Sequence, residues 1–297
     1  MVENANRVNT TANELDTFVL MRGDTELVIR PALGGAIQSL RWRKQDILRS
    51  GSKQETDIVQ MASFPMVPVV NRIPDGKFTF EGRSVELAPN LPGTSDFIHG
   101  FGWKRSWSIE MQGESEAVLK LEYESGLWPW AFEAHQKFKL ENNGLFTELS
   151  VTNRSETHMP AALGFHPYFP MTSSTRLKAQ YDGYWGNNDR QHAVQKVSGS
   201  TRKDFTVGAD LVDTEFLDTS HYNWLDRAIL TEPGCPTVSI TASHKAKHLH
   251  VFYQPGGDFV AIEPTSGRSN MFGVPPQDYE ILAPRETFSI WMKIEVE

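Results

Sequence analysis

Hydrophobic and polar residues alternate along much of the chain. Nearly every second residue is apolar in three stretches, residues 119–123, 132–140 and 288–296, and the residues between them are mostly charged or polar. Successive side chains of a strand point to opposite faces of a sheet, so this pattern predicts antiparallel strands with one buried face.

Turn residues separate the alternating stretches. Asn143-Gly144 lies between two of them, and Gln112-Gly113 and Glu81-Gly82 mark further turns, because glycine and asparagine adopt positive φ angles easily. No amphipathic helical pattern exceeds about two turns, and no internal repeat or linker is visible. We therefore predict an all-β fold, a large antiparallel β-sandwich formed as a single domain over residues 14–297, after a flexible N-terminal arm at residues 1–13.

Composition and charge exclude several classes of protein. The 297 residues carry a formal net charge of −8, which argues against a nucleic-acid partner. The single cysteine, Cys235, excludes a disulfide framework and a cysteine-based zinc site. The sequence has no apolar run long enough to cross a membrane and no secretory signal, so we expect a cytoplasmic protein, a monomer or homodimer, with no membrane partner.

Four polar motifs stand where an ordinary β core would not have them. Arg72 follows Asn71 at the end of an apolar run, where its guanidinium either caps a sheet edge or points into a cleft. His99 precedes a glycine. It is either a buried histidine bonded to a loop carbonyl or a histidine that contacts a ligand. His166 precedes Pro167, which restricts it to extended geometry. Glu263 ends an apolar strand and needs a partner or an open cavity.

Three further histidines, His244, His248 and His250, lie close together in the sequence. No carboxylate stands at a neighbouring ligand spacing, so we interpret this segment as a solvated strand and expect no metal site. There is also no glycine-rich phosphate loop and no Gly-x-Ser-x-Gly nucleophile motif.

Taken in order, the motifs resemble those of the aldose 1-epimerase (galactose mutarotase-like) family. The matching segments span roughly residues 25–296, and they are Asn71-Arg72-Ile73, Asn90, His99-Gly100-Phe101, Gly164 to Phe169, and Ile262-Glu263-Pro264. Leu282-Ala283-Pro284-Arg285-Glu286 resembles the family's turn before the last strand, with Arg285 in place of the usual glycine.

The resemblance implies a β-supersandwich and the interconversion of the α and β anomers of a free aldose without a cofactor. It implies that Glu263 is the general base on the anomeric hydroxyl and His166 the general acid at the ring oxygen. Arg72, His99 and Asn71 would hold the sugar's oxygens. Asp218 matches the family's sugar-binding aspartate, although the residues after it differ from the usual motif, which affects the expected choice of sugar.

Other functions remain open at this stage. The same fold could act on a hexose 6-phosphate, for which Lys104, Arg105 and Arg268 are the candidate phosphate ligands, or could bind sugar without turnover. A glycosidase would need two carboxylates flanking one bond, and the sequence offers one convincing candidate. We expect the rings beside the motifs, those of Phe101, Trp103, Tyr168 and Phe169, to line or support a sugar cleft.

Overall fold

The computed structural model describes residues 17–201, 203–211, 215–273 and 275–297, so the predicted arm at residues 1–13 lies outside the described residues. Within these ranges the chain consists mainly of short strands. In chain order they are β1 (Phe18–Arg22), β2 (Thr25–Arg30), β3 (Ala36–Trp42), β4 (Gln45–Asp46), β5 (Pro65–Met66), β6 (Arg72–Ile73), β7 (Lys77–Phe80), β8 (Arg83–Glu86), β9 (Phe97–Ile98), β10 (Ser108–Gln112), β11 (Glu116–Tyr123), β12 (Phe132–Glu141), β13 (Gly144–Asn153), β14 (Met159–Ala161), β15 (Gly164–Phe165), β16 (Tyr168–Pro170), β17 (Arg176–Ala179), β18 (Gly183–Asn187), β19 (Ala193–Ser198), β20 (Ala209–Asp210), β21 (Leu217–Tyr222), β22 (Arg227–Thr231), β23 (Val238–Ala242), β24 (His248–Tyr253), β25 (Phe259–Thr265), β26 (Glu280–Leu282) and β27 (Thr287–Val296).

Helical structure in the described residues is limited to single 3₁₀ turns. They cover Ile58–Gln60, Pro74–Gly76 and Gly102–Lys104. None of the helices in the part of the chain that the structure describes is long and apolar enough to cross a membrane.

The larger sheet has nine strands in the order β10-β11-β12-β13-β27-β23-β22-β17-β20. It contains the three alternating stretches of the sequence as β11, β12 and β27, and their buried and exposed residues alternate as predicted. The hairpin between β12 and β13 is also confirmed, but its turn is Asn142-Asn143, because Gly144 already pairs with Glu141. A side chain on Gly144 would lie 2.0 Å from the carbonyl oxygen of Ile294, so close strand packing, not turn geometry, requires this glycine.

The second large sheet has eight strands. Its order is β19-β18-β21-β24-β25-β15-β5, and β16 also pairs with β25. Its central strands β24 and β25 are buried on both faces over nearly their whole length, so their sequences lack the alternation of the larger sheet. Buried apolar residues of both large sheets belong to one main hydrophobic cluster, as the predicted all-β sandwich requires.

Candidate active site

A cleft of about 580 Å³ opens over the central strands of the eight-stranded sheet. Its volume lies in the range of small-molecule sites. The side chains expected from the family resemblance to catalyse the reaction or bind the sugar all line it, namely Asn71, Arg72, His99, His166, Asp218 and Glu263.

Strand register places Glu263 between two histidines. In β25 its direct partner on β24 is His250. On the other side, Gly164 pairs with Thr265 and Tyr168 with Ala261, and the residue between them, His166, comes to lie opposite Glu263. The Nε2 atom of His166 is 3.3 Å from Oε1 of Glu263, and both side chains are buried. Three adjacent strand segments therefore present an imidazole, a carboxyl group and a second imidazole side by side.

A short two-stranded ribbon brings Asn71 and His99 to the same cleft. Strand β6 pairs with β9, and the backbone N–H of His99 donates to the carbonyl of Asn71 at 2.9 Å. Both residues have positive φ angles, 47° for Asn71 and 58° for His99. Such conformations are costly for residues with a side chain and concentrate at functional sites, where the surrounding structure maintains them.

Asp218 is held from two sides. Its Oδ2 accepts from Nη2 of Arg72 at 2.9 Å, and its Oδ1 lies 2.8 Å from Nε2 of His250. The Asp218 side chain is almost fully buried, so the two partners compensate the loss of its hydration. The carboxylate is therefore fixed in position at the wall of the cleft.

Burial has opposite effects on the two central groups. It raises the pKa of Glu263 to about 8, although the neighbouring His250 acts to lower it. It lowers the pKa of His166 to about 3, with a further lowering from His250. Because burial disfavours the charged form of each group, the pair holds one proton near neutral pH, on the carboxyl group of Glu263.

The surrounding groups differ in their preferred charge. Burial alone would raise the pKa of Asp218, but His250 and Arg72 outweigh it, so the pKa is lowered. Burial alone would lower the pKa of His250, but Glu263 and Asp218 outweigh it and raise that pKa. The pKa of His99 lies well below its usual value because of burial and the neighbouring His166. Asp218 and His250 therefore favour their charged forms, and His99 is neutral.

Aromatic rings form part of the cleft wall. Trp103 and Tyr168 line it as expected, but Phe101 and Phe169 belong to the hydrophobic core and do not line the cleft. The sequence interpretation missed Phe64, whose ring centroid lies 4.5 Å from that of His166. Phe64 is the first residue of the apolar run that precedes Asn71 and has no polar motif beside it, so nothing in its neighbours marked it.

The histidine segment was interpreted wrongly. His248 and His250 are buried and not solvated: His248 pairs with Asp278, and His250 lines the cleft beside Asp218. Only His244 is exposed. The available signal was the apolar run after His250, which is typical of a central strand, where a polar side chain is buried on either face.

The candidate phosphate ligands do not line the cleft. Arg268 is fully buried, stacks on Trp185 and donates to backbone carbonyls. Lys104 lies over the ring of Trp103 and donates to the carbonyl of Asn90. Another arginine, Arg49, does line the cleft and was not predicted.

Buried polar atoms without a protein partner are concentrated in the cleft. Among the described residues that line it, such atoms are Nε of Arg49, Oδ1 of Asn71, Nε of Arg72, Nδ1 of His99, Nδ1 of His166 and Oε2 of Glu263. Unpaired buried donors and acceptors cost about 1–3 kcal/mol each. A ligand with many hydroxyl groups offers both donors and acceptors to such a set.

Comparison with known proteins identifies relatives over nearly the whole chain. A family model described as Aldose 1-epimerase matches residues 16–295. The uncharacterized protein YphB of Escherichia coli K12 is 27% identical over 290 residues, which cover 94% of this chain and 98% of YphB.

Solved structures share the fold. The crystal structure of a candidate aldose 1-epimerase from Escherichia coli K12 matches with a TM-score of 0.88 and 27% identity, over 95% of this chain and 98% of that one. That of a galactose 1-epimerase from Lactobacillus acidophilus NCFM matches with a TM-score of 0.79 and 15% identity, over 100% of this chain and 97% of that one. The second match supports the galactose mutarotase-like fold alone.

Proposed function

We propose that this chain, which belongs to the aldose 1-epimerase family, interconverts the α and β anomers of an unphosphorylated aldose by acid–base catalysis. The observation that carries the proposal is the contact between His166 and Glu263, 3.3 Å apart and buried in the cleft. The anomeric hydroxyl and the ring oxygen of an aldose are bonded to the same carbon. Two groups this close can therefore act on both oxygens at once.

The proposed reaction moves one proton in each direction. The carboxylate of Glu263 takes the proton of the anomeric hydroxyl while the imidazolium of His166 protonates the ring oxygen, and the ring opens. Rotation about the C1–C2 bond presents the other face of the aldehyde. Glu263 then returns its proton to the aldehyde oxygen and His166 recovers its own from the sugar hydroxyl. Each such group contributes about 10²–10⁴ to the rate.

The number of protons on the His166–Glu263 pair fits this cycle. A neutral His166 beside a protonated Glu263 is the state that the pair reaches when the ring has opened. The starting state for ring opening has the same number of protons, with the proton on His166 instead. The pair therefore needs no exchange with solvent during turnover, and a buried cleft suits the reaction.

Sugar binding is assigned to the remaining polar side chains. Arg72 and Asp218 present a fixed donor and acceptor, and Asn71 and His99 contribute unpaired atoms from the ribbon. The rings of Trp103 and Tyr168 offer apolar faces for the C–H side of the sugar.

An unphosphorylated sugar is favoured over a hexose 6-phosphate. The two arginines of the cleft are already engaged: Arg72 with Asp218, and Arg49 with the carbonyls of Val59 and Met61. Arg268 is buried elsewhere. A phosphate would therefore compete with existing contacts rather than meet a free cation among the described lining residues.

A glycosidase deserves comparison because the cleft contains a second carboxylate, Asp218. Its pKa is lowered where that of Glu263 is raised, a difference that glycosidases use. However, both oxygens of Asp218 are occupied, one by Arg72 and one by His250, which leaves it poorly placed to attack an anomeric carbon. A binding protein without turnover would not require the His166–Glu263 pair.

Polarimetry of freshly dissolved α-glucose and α-galactose tests the proposal. We expect the protein to accelerate the approach to anomeric equilibrium, and Glu263→Gln and His166→Gln to lose about 10²–10⁴-fold in kcat. The matched controls are Glu81→Gln and His158→Gln, which alter an exposed pair of the same two residue types 2.9 Å apart, and they should retain full activity.

Two outcomes would overturn it: no acceleration by the wild-type protein, or full activity in Glu263→Gln. Addition of glucose 6-phosphate to the glucose assay separates the two substrate classes, because a phosphate-specific enzyme would be strongly inhibited. Release of reducing sugar from aryl glycosides would instead identify a glycosidase.

A further inference from the structure

His250 lies at the centre of the polar groups of the cleft and has no role in the reaction described above. It is buried, and the register of β24 pairs it with Glu263 on one side and with Ser220 of β21 on the other. Its Nε2 is 2.8 Å from Oδ1 of Asp218, and Nδ2 of Asn71 lies 3.3 Å from the same nitrogen. Directly paired residues on neighbouring strands have Cβ atoms about 4.5–5.5 Å apart.

Both ring nitrogens of His250 face an acceptor. Nε2 points to the Asp218 carboxylate, and Nδ1 lies 2.8 Å from Oγ of Ser220, which accepts a hydrogen bond as readily as it donates one. An imidazolium carries a proton on each nitrogen and requires this arrangement. The contacts with Asp218 and Ser220 therefore accommodate the charged form, with the Asn71 amide turned so that Oδ1, which has no other protein partner, faces Nε2 in place of Nδ2.

The charges around His250 come from every strand packed against it. Acidic groups are Asp218 of β21 and Glu263 of β25, and the nearby cation is Arg72 of β6. Three other histidines also lie within electrostatic range, and they are His99, His166 and His221. All three have pKa values lowered by burial, so they contribute no competing positive charge near neutral pH.

We propose that His250 is a positioning residue whose imidazolium holds Asp218 ionised and aimed at the sugar, and sets the pH range in which the His166–Glu263 pair keeps its single working proton. It acts through these residues and not on the reacting atoms. The kinetic part of this inference rests on the proposed mutarotase function.

Loss of the His250 charge has a defined electrostatic consequence. The positive charge of His250 lowers the pKa of Glu263 and also that of His166. Removing it raises both pKa values, so both limbs of the kcat/KM profile move to higher pH. For unit charges about 5–6 Å apart in an effective dielectric of about 20, the shift is about 2 pH units.

The kinetic test compares the pH profiles of kcat/KM for the wild type, His250→Gln and His221→Gln. Glutamine keeps a donor toward Asp218 but carries no charge, so we expect both limbs to shift upward and KM to rise. His221 is a buried histidine of the neighbouring strand whose Nδ1 lies 3.1 Å from the carbonyl of Leu249. Its replacement removes a similar ring without removing a charge and should leave the limbs in place.

Unchanged limbs in a folded, active His250→Gln variant would overturn the inference, as would an equal shift in His221→Gln. A second measurement needs neither variant nor activity. In the wild-type protein, NMR titration of the histidine ring carbons should find His250 protonated at neutral pH and His166 neutral. A neutral His250 at pH 7 refutes the inference even if the protein is a mutarotase. Conversely, a protonated His250 in a protein without mutarotation would refute only the proposed function.

Discussion

The buried proton of the His166–Glu263 pair predicts an unusual dependence of stability on pH. The pKa of Glu263 is raised from a usual 4.5 to about 8, and that of His166 is lowered from a usual 6.5 to about 3. A raised carboxyl pKa contributes stability that is present below pH 4.5 and is lost as the pH rises through 8. A lowered histidine pKa contributes stability that is present above pH 6.5 and is lost as the pH falls through 3.

Combining the two groups gives three pH ranges. Between about pH 4.5 and 6.5 the unfolded chain binds one proton on His166 and the folded chain one on Glu263, so the pair adds no slope. Above pH 6.5 the unfolded pair binds none and the folded pair still binds one. The free energy of unfolding then decreases by about 1.4 kcal/mol per pH unit, or about 2 kcal/mol in total, up to about pH 8.

Glu263→Gln removes one member of the pair while keeping its size. In this variant the contribution of the site is flat above pH 6.5, because neither the folded nor the unfolded chain then binds a proton there. We expect the variant to gain stability relative to the wild type as the pH rises, with the difference in unfolding free energy (variant minus wild type) increasing by about 3 kcal/mol from pH 6 to 8.

Equilibrium urea unfolding, followed by tryptophan fluorescence at a series of pH values, measures this difference. Glu81→Gln, in an exposed loop pair, is the control and should run parallel to the wild type. If the curves of Glu263→Gln and the wild type are parallel from pH 6 to 8, Glu263 is ionised in the folded protein and the reasoning about its burial is refuted.

Three further substitutions test the packing of the cleft. Arg72→Met removes one of the two partners of the buried Asp218, so urea unfolding should show a loss of about 2–3 kcal/mol and polarimetry a rise in KM of about tenfold. Gly100→Ala places a Cβ 2.3 Å from a carbonyl oxygen at a φ of 74°, and thermal unfolding should show a loss of more than about 2 kcal/mol. Phe64→Ala opens a cavity against His166, which should cost about 3–5 kcal/mol and lower kcat more than it raises KM.

The sequence was most informative where one face of a strand is buried. The alternating stretches became β11, β12 and β27 of the nine-stranded sheet, because a half-solvated sheet imposes a period of two on its residues. The cleft candidates were recognised by a different signal, a polar side chain at the end of an apolar run, together with the family resemblance. Neither signal applies to Phe64, an apolar residue within such a run.

His250 shows why the remaining part of the site could not be predicted. Strand β24 is buried on both faces, so its histidines occupy positions that a period of two cannot assign to water or to the core. The charge of His250 depends on Asp218 and Glu263, which approach it only through the register of two neighbouring strands. Because β24 is buried on both faces, the sequence pattern does not reveal the position of His250. The same burial gives the cleft its low dielectric. In that environment a cation affects the pKa values of its neighbours more strongly than it would in water, so β24 can influence the proposed reaction without contacting the reacting atoms.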